Sequence, residues 1–302
     1  MRVVVALGGN ALLRRGEPVT VEARRANARA AAKSLAELAH DHDIVVAHGS
    51  GPQIGLLAHQ DAALREIPPY PLDVIGAESI GMIGYMVEQE LANALPAGSW
   101  LATLVMRTEV DRGDPAFASP QKPIGVIYSE AEAEKIRGDR GWPMVEEAKG
   151  QWRRIVPSPL PKRIVQIDVI RMLIEANVVT ICAGGGIPVV RNGDGSFEEV
   201  EAVIDKDRAA RLLAEELAAD AFLLLTDVDA VYLNLGTPYQ EPIRTATAAK
   251  LLTHSFQPSS MGSKVEAACN FVTVPGRIAG IGRLEDARAI LEGRAGTVVR
   301  GV

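Results

Sequence analysis

Short aliphatic runs recur along the chain, each closed by glycine or by a polar residue. Val3-Val4-Val5-Ala6-Leu7 stops at Gly8-Gly9-Asn10, and Ile44-Val45-Val46-Ala47 stops at His48-Gly49-Ser50-Gly51. Val178 to Cys182 leads to Gly184-Gly185-Gly186, and Phe222-Leu223-Leu224-Leu225 leads to Thr226-Asp227-Val228-Asp229. Uninterrupted apolar runs of this length read as strands buried on both faces. A further strand is predicted over 100–106, and others over 278–281 and 297–299. Between the strands lie stretches with apolar positions at helical spacing, predicting helices over 21–39, 74–95, 167–176, 246–253 and 265–271, one that follows Asp205-Lys206-Asp207 and runs to about 219, and one near 284–291. Asn192-Gly193-Asp194-Gly195 separates 187–190 from 197–204 and is a strong hairpin signal. Strand and helix alternate throughout, so the expected architecture is an α/β fold with one open, mostly parallel sheet covered on both faces. Ligands of such sheets sit beyond the carboxyl ends of the strands, where the glycine loops converge.

One segment breaks the alternation. Between Asp111 and Pro161 prolines cluster at 115, 120, 123, 143, 157, 159 and 161, and two of the three tryptophans, Trp142 and Trp152, fall here. A stretch with its own aromatics and the apolar run Ile124 to Ile127 reads as a small subdomain or lid, not as a linker. The expected division is an N-terminal lobe over 1–110, the lid over 111–161 and a C-terminal lobe over 162–302. The glycines and methionines of 74–95 (Gly76, Gly81, Met82, Gly84, Met86) suit close helix packing in the core or at a subunit interface.

Composition narrows the function. With 38 acidic and 32 basic residues the net charge is −6, which argues against a nucleic-acid or anionic-membrane surface but not against a small anionic ligand. Two isolated cysteines, Cys182 and Cys269, fit neither a disulfide framework nor a zinc site and suggest a reducing cytoplasm. Residues 3–13 are apolar, but Gly8-Gly9-Asn10 interrupts them and no small-residue cleavage site follows, so they do not read as a secretion signal. No apolar run reaches the length of about 18 residues that a membrane span needs.

The glycine loops suggest phosphate chemistry. The first lacks the Gly-Lys-Ser/Thr of a P-loop, and the second has Ile54 where a dinucleotide fingerprint needs its third glycine. Pro52 reads as the first residue of a helix, so the second loop is a general anion site at a helix N-terminus. His48 is expected to bond locally. Lysine is scarce, 8 against 24 arginines, and Lys122, Lys206 and Lys264 each lie within two residues of glycine, proline or aspartate in loop-like sequence. No Ser-His-Asp set, Cys-His pair or metal-ligand spacing is present. Glycine N–H groups with compact ammonium charges are what phosphoryl transfer requires, because charge spreads over the oxygens of the moving group.

These same stretches carry a resemblance. Ala6 to Ala11, His48 to Gly55, Lys122-Pro123-Ile124-Gly125, Trp152 to Pro159, Gly184 to Val190, Glu201 to Asp207 and Met261 to Ala267 resemble the carbamate kinases of the amino-acid-kinase fold, from one end of the chain to the other. The resemblance implies a three-layer αβα sandwich on an eight-stranded, mostly parallel sheet with a protruding lid, and a homodimer. It implies reversible phosphoryl transfer between carbamoyl phosphate and ADP, with Mg2+ accompanying the nucleotide. Gly8, Gly9, Asn10, Gly49, Ser50, Gly51 and Gly185 are the implied phosphate and carbamate contacts. Lys122 reaches in from the lid, and Lys206 and Lys264 neutralise phosphate oxygens. Asp205 or Asp207, the latter favoured, orients the lysines or Mg2+. Thr226, Asp227, Val228, Tyr232, Met261 and Gly262 line the nucleotide pocket. Ser50 departs from the asparagine usual between the two glycines. Two alternatives stay open on sequence: a kinase of the same fold with another small carboxylate or phosphate acceptor, and a nucleotide-binding regulator without turnover.

Overall fold

A computed structural model describes residues 1–9, 17, 20–63, 69–257 and 261–301. Asn10 and most of the polar stretch 14–20 lie outside the described residues, as do 258–260. In chain order the first elements are β1 (Arg2–Leu7), α1 (Val21–Ala39), β2 (Asp43–His48), α2 (Gly51–Ala63), α3 (Leu72–Ala94), β3 (Leu101–Leu104) and β4 (Arg107–Val110). Next come α4 (Pro115–Ala118), β5 (Lys122–Tyr128), α5 (Glu130–Arg140), β6 (Met144–Ala148), β7 (Gln151–Val156), β8 (Pro161–Ile164) and α6 (Ile167–Glu175). Then follow β9 (Val179–Ala183), β10 (Ile187–Arg191), β11 (Phe197–Glu199), α7 (Lys206–Glu216), β12 (Ala221–Thr226), β13 (Val231–Leu233) and β14 (Glu241–Ile243). The chain closes with β15 (Thr245–Thr247), α8 (Ala248–Leu251), α9 (Ser263–Phe271), β16 (Ile278–Arg283), α10 (Ala287–Leu291) and β17 (Thr297–Arg300).

Eight strands form the central sheet in the order β15-β17-β16-β12-β1-β2-β9-β3. Every neighbouring pair is parallel except β16 with β17. The expected mostly parallel sheet is therefore present. Its central strands are buried on both faces because both faces are covered. Val4, Ala6, Val45 and Ala47 pack with α6, α7 and α9, where Phe222 and Phe271 meet at 5.5 Å between ring centroids. Val3, Val5, Leu7, Ile44 and Val46 pack with α1, α3 and α10.

Three local readings change. The strand expected over 100–106 ends at Leu104, and the chain re-enters as β4 in a second, four-stranded sheet, β11-β10-β4-β8. The predicted hairpin forms around 192–195, but its second arm pairs only over 197–199. Residues 246 and 247, expected to open the helix over 246–253, belong instead to strand β15, because pairing with β17 at the sheet edge outweighs local propensity.

Within 111–161, β5, β7 and β6 form a separate three-stranded antiparallel sheet with α5 packed on it. Tyr128, Ala133 and Met144 make a small core there, with Trp142 and Trp152 against it. α5 begins with a reciprocal capping box between Ser129 and Glu132 and ends in left-handed Gly141. This unit stands over α2 through Ile124 and Val156, which join Ile54, Ala58, Leu72, Ile75 and Val203 in one apolar cluster.

Candidate active site

The three glycine loops lie side by side. Gly8 N–H donates to Leu225 O at 2.8 Å, Gly49 N–H to Leu7 O at 3.1 Å and Gly184 N–H to His48 O at 2.7 Å. These bonds extend the ladder past the carboxyl tips of β12, β1, β2 and β9, where an open parallel sheet receives its ligands.

Above the tips, three lysines from three separate segments meet two carboxylates. Asp205 caps α7: its Oδ1 accepts from the N–H groups of Asp207 (2.9 Å) and Arg208 (3.3 Å). Its Oδ2 accepts from Lys122 Nζ of β5 at 3.0 Å. Asp207 lies one turn-edge further on, 3 % exposed at its side chain. Its Oδ1 accepts from Lys206 Nζ at 2.5 Å, and its Oδ2 from Lys264 Nζ at 3.0 Å and Ser263 Oγ at 3.2 Å. Lys122, Lys206 and Lys264, far apart in sequence, thus converge on one place.

The electrostatics follow from burial and pairing. Burial disfavours the Asp207 carboxylate, but Lys206 and then Lys264 outweigh it, so Asp207 stays ionised well below the usual carboxylate range. Burial likewise opposes ionisation of Asp205, Lys122 counters it and Asp207 opposes it again, leaving Asp205 below its ordinary value. Burial, and then the neighbouring Lys264, pushes the Lys206 ammonium down, against the pull of Asp207. Three cations face two carboxylates, and the N-terminal ends of α2, α7 and α9 open toward the same loops. The cluster therefore carries one ammonium more than it has carboxylates, an environment that favours an anion.

The glycines do two jobs. A Cβ on Gly49 would fall 2.6 Å from Lys206 Cδ, and one on Gly184 would fall 2.9 Å from Lys206 Cβ. Gly49 and Gly184 are bare so that the lysine stem can cross the strand tips. A Cβ on Gly51 would meet nothing within 4 Å, so that position faces open space. Gly185 lies against Ile204 O, where a Cβ would stand at 2.8 Å, and its own carbonyl accepts from Thr108 Oγ1 at 2.9 Å. Ser50 is half-buried, and its carbonyl accepts the N–H of Ile54 at 2.8 Å in the first turn of α2. His48 differs from its expected local bonding: it is 1 % exposed, and neither ring nitrogen meets a hydrogen-bond partner among the described residues. Burial pushes its pKa down to about 4, so the ring is neutral.

The residues expected to line a nucleotide pocket lie on the β12 side. Thr226 ends β12 beside the first glycine loop, and its Oγ1 donates to Asp227 Oδ1 at 3.0 Å. Val228 is half-buried in the turn that follows. Tyr232 OH donates to Asp229 Oδ1 at 2.7 Å, and Arg244 Nη2 donates to Asp229 Oδ2 at 3.2 Å. Met261 packs on the main core, and Gly262 leads into α9 beside Lys264. Among the described residues no group of three His, Cys, Asp or Glu side chains is placed to hold a metal ion alone.

The sequence matches the amino acid kinase family over residues 1–279. A carbamate kinase of Haemophilus influenzae is 49 % identical over 298 residues, 98 % of this chain and 96 % of that protein. One of Thermococcus kodakarensis is 44 % identical over 99 % of this chain and 98 % of its own length. The chain belongs to the carbamate kinases of the amino acid kinase family. Among solved structures, the carbamate kinase of Giardia lamblia bound to AMP-PNP superposes with a TM-score of 0.91 at 38 % identity, covering 100 % of this chain and 98 % of that one. The same enzyme bound to citric acid gives 0.91 at 37 % identity.

Several residues of this carbamate kinase site escape sequence reasoning. Ser263 on Asp207 is one. The Arg154 to Glu201 pair at 3.7 Å is another; Glu201 also accepts from Leu72 N–H at 2.9 Å and so ties the lid to α3. No local pattern announces contacts between segments this far apart.

Proposed function

We infer that this chain moves a phosphoryl group reversibly between carbamoyl phosphate and ADP, yielding ATP and carbamate, which breaks down to ammonia and CO2. The observation that carries the reading is the meeting of Lys122, Lys206 and Lys264 on Asp205 and Asp207 above glycine-lined strand tips. In the forward direction a β-phosphate oxygen of ADP attacks phosphorus, and the bond from phosphorus to the carbamate oxygen breaks. The leaving carbamate is an anion and needs no proton, so a general acid is unnecessary. In reverse the same oxygen attacks without a general base. Catalysis is then positioning and neutralisation of the equatorial oxygens.

Lys206 and Lys264 supply that neutralisation from fixed positions on Asp207. Lys122 brings a third charge from the lid, which also keeps water from a substrate offering few atoms to grip. The Gly8 and Gly49 N–H groups are taken by Leu225 O and Leu7 O, so these glycines let the substrate come close, while the Gly9 N–H, Asn10, Ser50 and Gly51 receive the phosphoryl and carbamate oxygens. Thr226, Asp227, Val228, Tyr232, Met261 and Gly262 receive the nucleotide. Mg2+ fits as the nucleotide's companion: it takes hard oxygen donors and needs only one or two carboxylates beside the phosphates. Asp207 or Asp205 would reach the ion only by releasing an ammonium group that it now holds, and the ion would supply further neutralisation of phosphate charge.

We place the carbamoyl phosphate side in 1–110, the lid in 111–161 and the nucleotide side in 162–302, in a cytoplasmic enzyme. No helix among the described residues is long and apolar enough to cross a membrane. A homodimer is supported by the open edge of β3, flanked by exposed Trp100 and Val105 and by Tyr85 of α3. An uncovered edge beside exposed aromatics invites pairing. Sedimentation at twice the chain mass is expected; a monomer at micromolar concentration would contradict it.

The activity is tested by ATP formation from ADP and carbamoyl phosphate in a coupled assay, beside acetyl phosphate and, in reverse, N-acetylglutamate. Turnover confined to carbamoyl phosphate is expected, and preference for either control would overturn the assignment. Lys122→Ala is expected to impair use of carbamoyl phosphate by about 10²-fold while ADP binding changes little. An unchanged rate would remove the lid lysine from the reaction.

A further inference from the structure

The lid meets the body at a point where two backbones touch without side chains between them. Gly55 lies in the second turn of α2, and Gly125 lies in β5, three residues after Lys122. A Cβ on Gly55 would fall 1.7 Å from Gly125 Cα and 2.1 Å from Gly125 N. The obstacle is backbone, so no side-chain rotation can make room. Gly125 adopts φ +83°, a conformation that favours glycine, and the pairing of β5 with β7 loses register between Ile124 and Tyr128. The strand bends here, over the helix. On one side of the contact Ile124 enters the cluster with Ile54 and Ala58. On the other, His59 Nδ1 of α2 and Tyr128 OH of β5 lie 3.1 Å apart.

We propose that the Gly55–Gly125 contact is the seat that positions Lys122 at the reaction centre. The inference rests on the reading that Lys122 takes part in the transfer. Gly55 touches no substrate; it acts through the lid, and its role is positioning. The height of the lid above α2 is set by backbone against backbone, the least compressible spacer available. At that height the Lys122 ammonium reaches Asp205 Oδ2 at 3.0 Å. A methyl group on Gly55 reaches ordinary contact distance only if the lid retreats by roughly 1.5–2 Å, and a misplacement of about 1 Å can already cost about 10²-fold in rate. The adjoining apolar residues and the His59–Tyr128 pair keep the lid on its seat, while the two glycines decide how low it sits.

The test is a double-mutant cycle on the full chain with Gly55→Ala, Lys122→Ala and the pair together, assayed with carbamoyl phosphate and ADP. Gly55→Ala is expected to lower kcat about 10²-fold with the KM for ADP within about twofold of the parent. The double variant is expected to be no slower than Lys122→Ala alone, because both changes remove the same charge from the same place. Gly138→Ala, in lid helix α5 where an added Cβ meets nothing within 4 Å, is expected to match the parent. Parental turnover in Gly55→Ala, or losses that multiply in the double variant, would overturn the seat. Parental turnover in Lys122→Ala would instead remove the reading beneath it. Circular dichroism and ADP binding establish that each variant is folded. Should Gly55→Ala fail to fold, Gly125→Ala loads the same contact more gently from the lid side, where a Cβ stands 3.3 Å from Gly55 Cα on a left-handed backbone; a smaller fall in kcat that does not multiply with Lys122→Ala is then expected, and a parental kcat or multiplying losses would overturn the seat.

Discussion

Replacing Lys206 by alanine is expected to slow phosphoryl transfer by about 10²–10³-fold, the loss typical of one preorganised electrostatic contact. The reasons are geometric. The ammonium sits on Asp207 Oδ1 at 2.5 Å, and its stem crosses the strand tips against Gly49 and Gly184. The side chain is 18 % exposed, so the charge acts in a partly dry site where its field is poorly screened. Because stem and head are both held, little reorganisation remains to be done when charge develops on the moving group. Arginine does not replace it: a planar fork fits neither the passage between two glycines nor a point-charge role. Lys206→Arg is therefore expected to stay close to the alanine variant. Steady-state rates with carbamoyl phosphate and ADP decide this, and a folded Lys206→Ala variant within tenfold of the parent would take Lys206 out of the mechanism.

The second large effect falls on stability. Asp207→Ala removes the carboxylate that two ammonium groups share and leaves Lys206 and Lys264 facing each other in a buried place. Breaking a buried pair by deleting one partner costs about 3–5 kcal/mol, because the surviving charge is uncompensated. Here two charges survive. The sign of the pH dependence follows from the direction of the shift. Burial disfavours the Asp207 carboxylate, Lys206 and Lys264 outweigh it, and its pKa is depressed on folding. The folded chain therefore binds the proton less readily than the unfolded chain. The contribution is complete above the unfolded carboxylate range, about pH 4, and fades as pH falls toward the lower folded value. Urea unfolding between pH 3 and 8 is expected to show the parent ahead of Asp207→Ala throughout the neutral range, with the gap closing only at the acid end. A constant gap down to pH 3, or none at pH 7, would mean that Asp207 does not hold the two lysines together.

Much of this architecture is legible in the chain because local and global signals agree. The helix predicted over 21–39 is α1 with those bounds, and the apolar runs closed by glycine are the central strands. The scarcity of lysine singled out the three side chains that meet at the site. What escaped depends on contacts that no local pattern records. Lys122 and Asp205 are 83 positions apart, and Lys264 and Asp207 are 57 apart, so the division of labour between the two aspartates could not be read in advance. Asp205 caps α7 and receives the lid, whereas Asp207 gathers the fixed lysines. The glycines were legible as loops but only partly in purpose. Gly49 and Gly184 clear a path for a lysine stem, and Gly55 clears one for another backbone, none of which spacing alone reveals. His48 followed the same logic in reverse: its place in a polar loop suggested local bonding, yet the β2 pleat turns it into the interior.

The central claim is that the lysines borne by Asp207 and the lid lysine surround the group in transit. It is tested most directly by the structure of the enzyme with Mg2+, ADP, carbamate and a planar fluoride mimic of the PO3 unit. The account predicts the mimic within hydrogen-bond reach of the ammonium groups of Lys206, Lys264 and Lys122, with the lid still seated on α2. A mimic bound away from these three groups, with both aspartate pairings undisturbed, would contradict it.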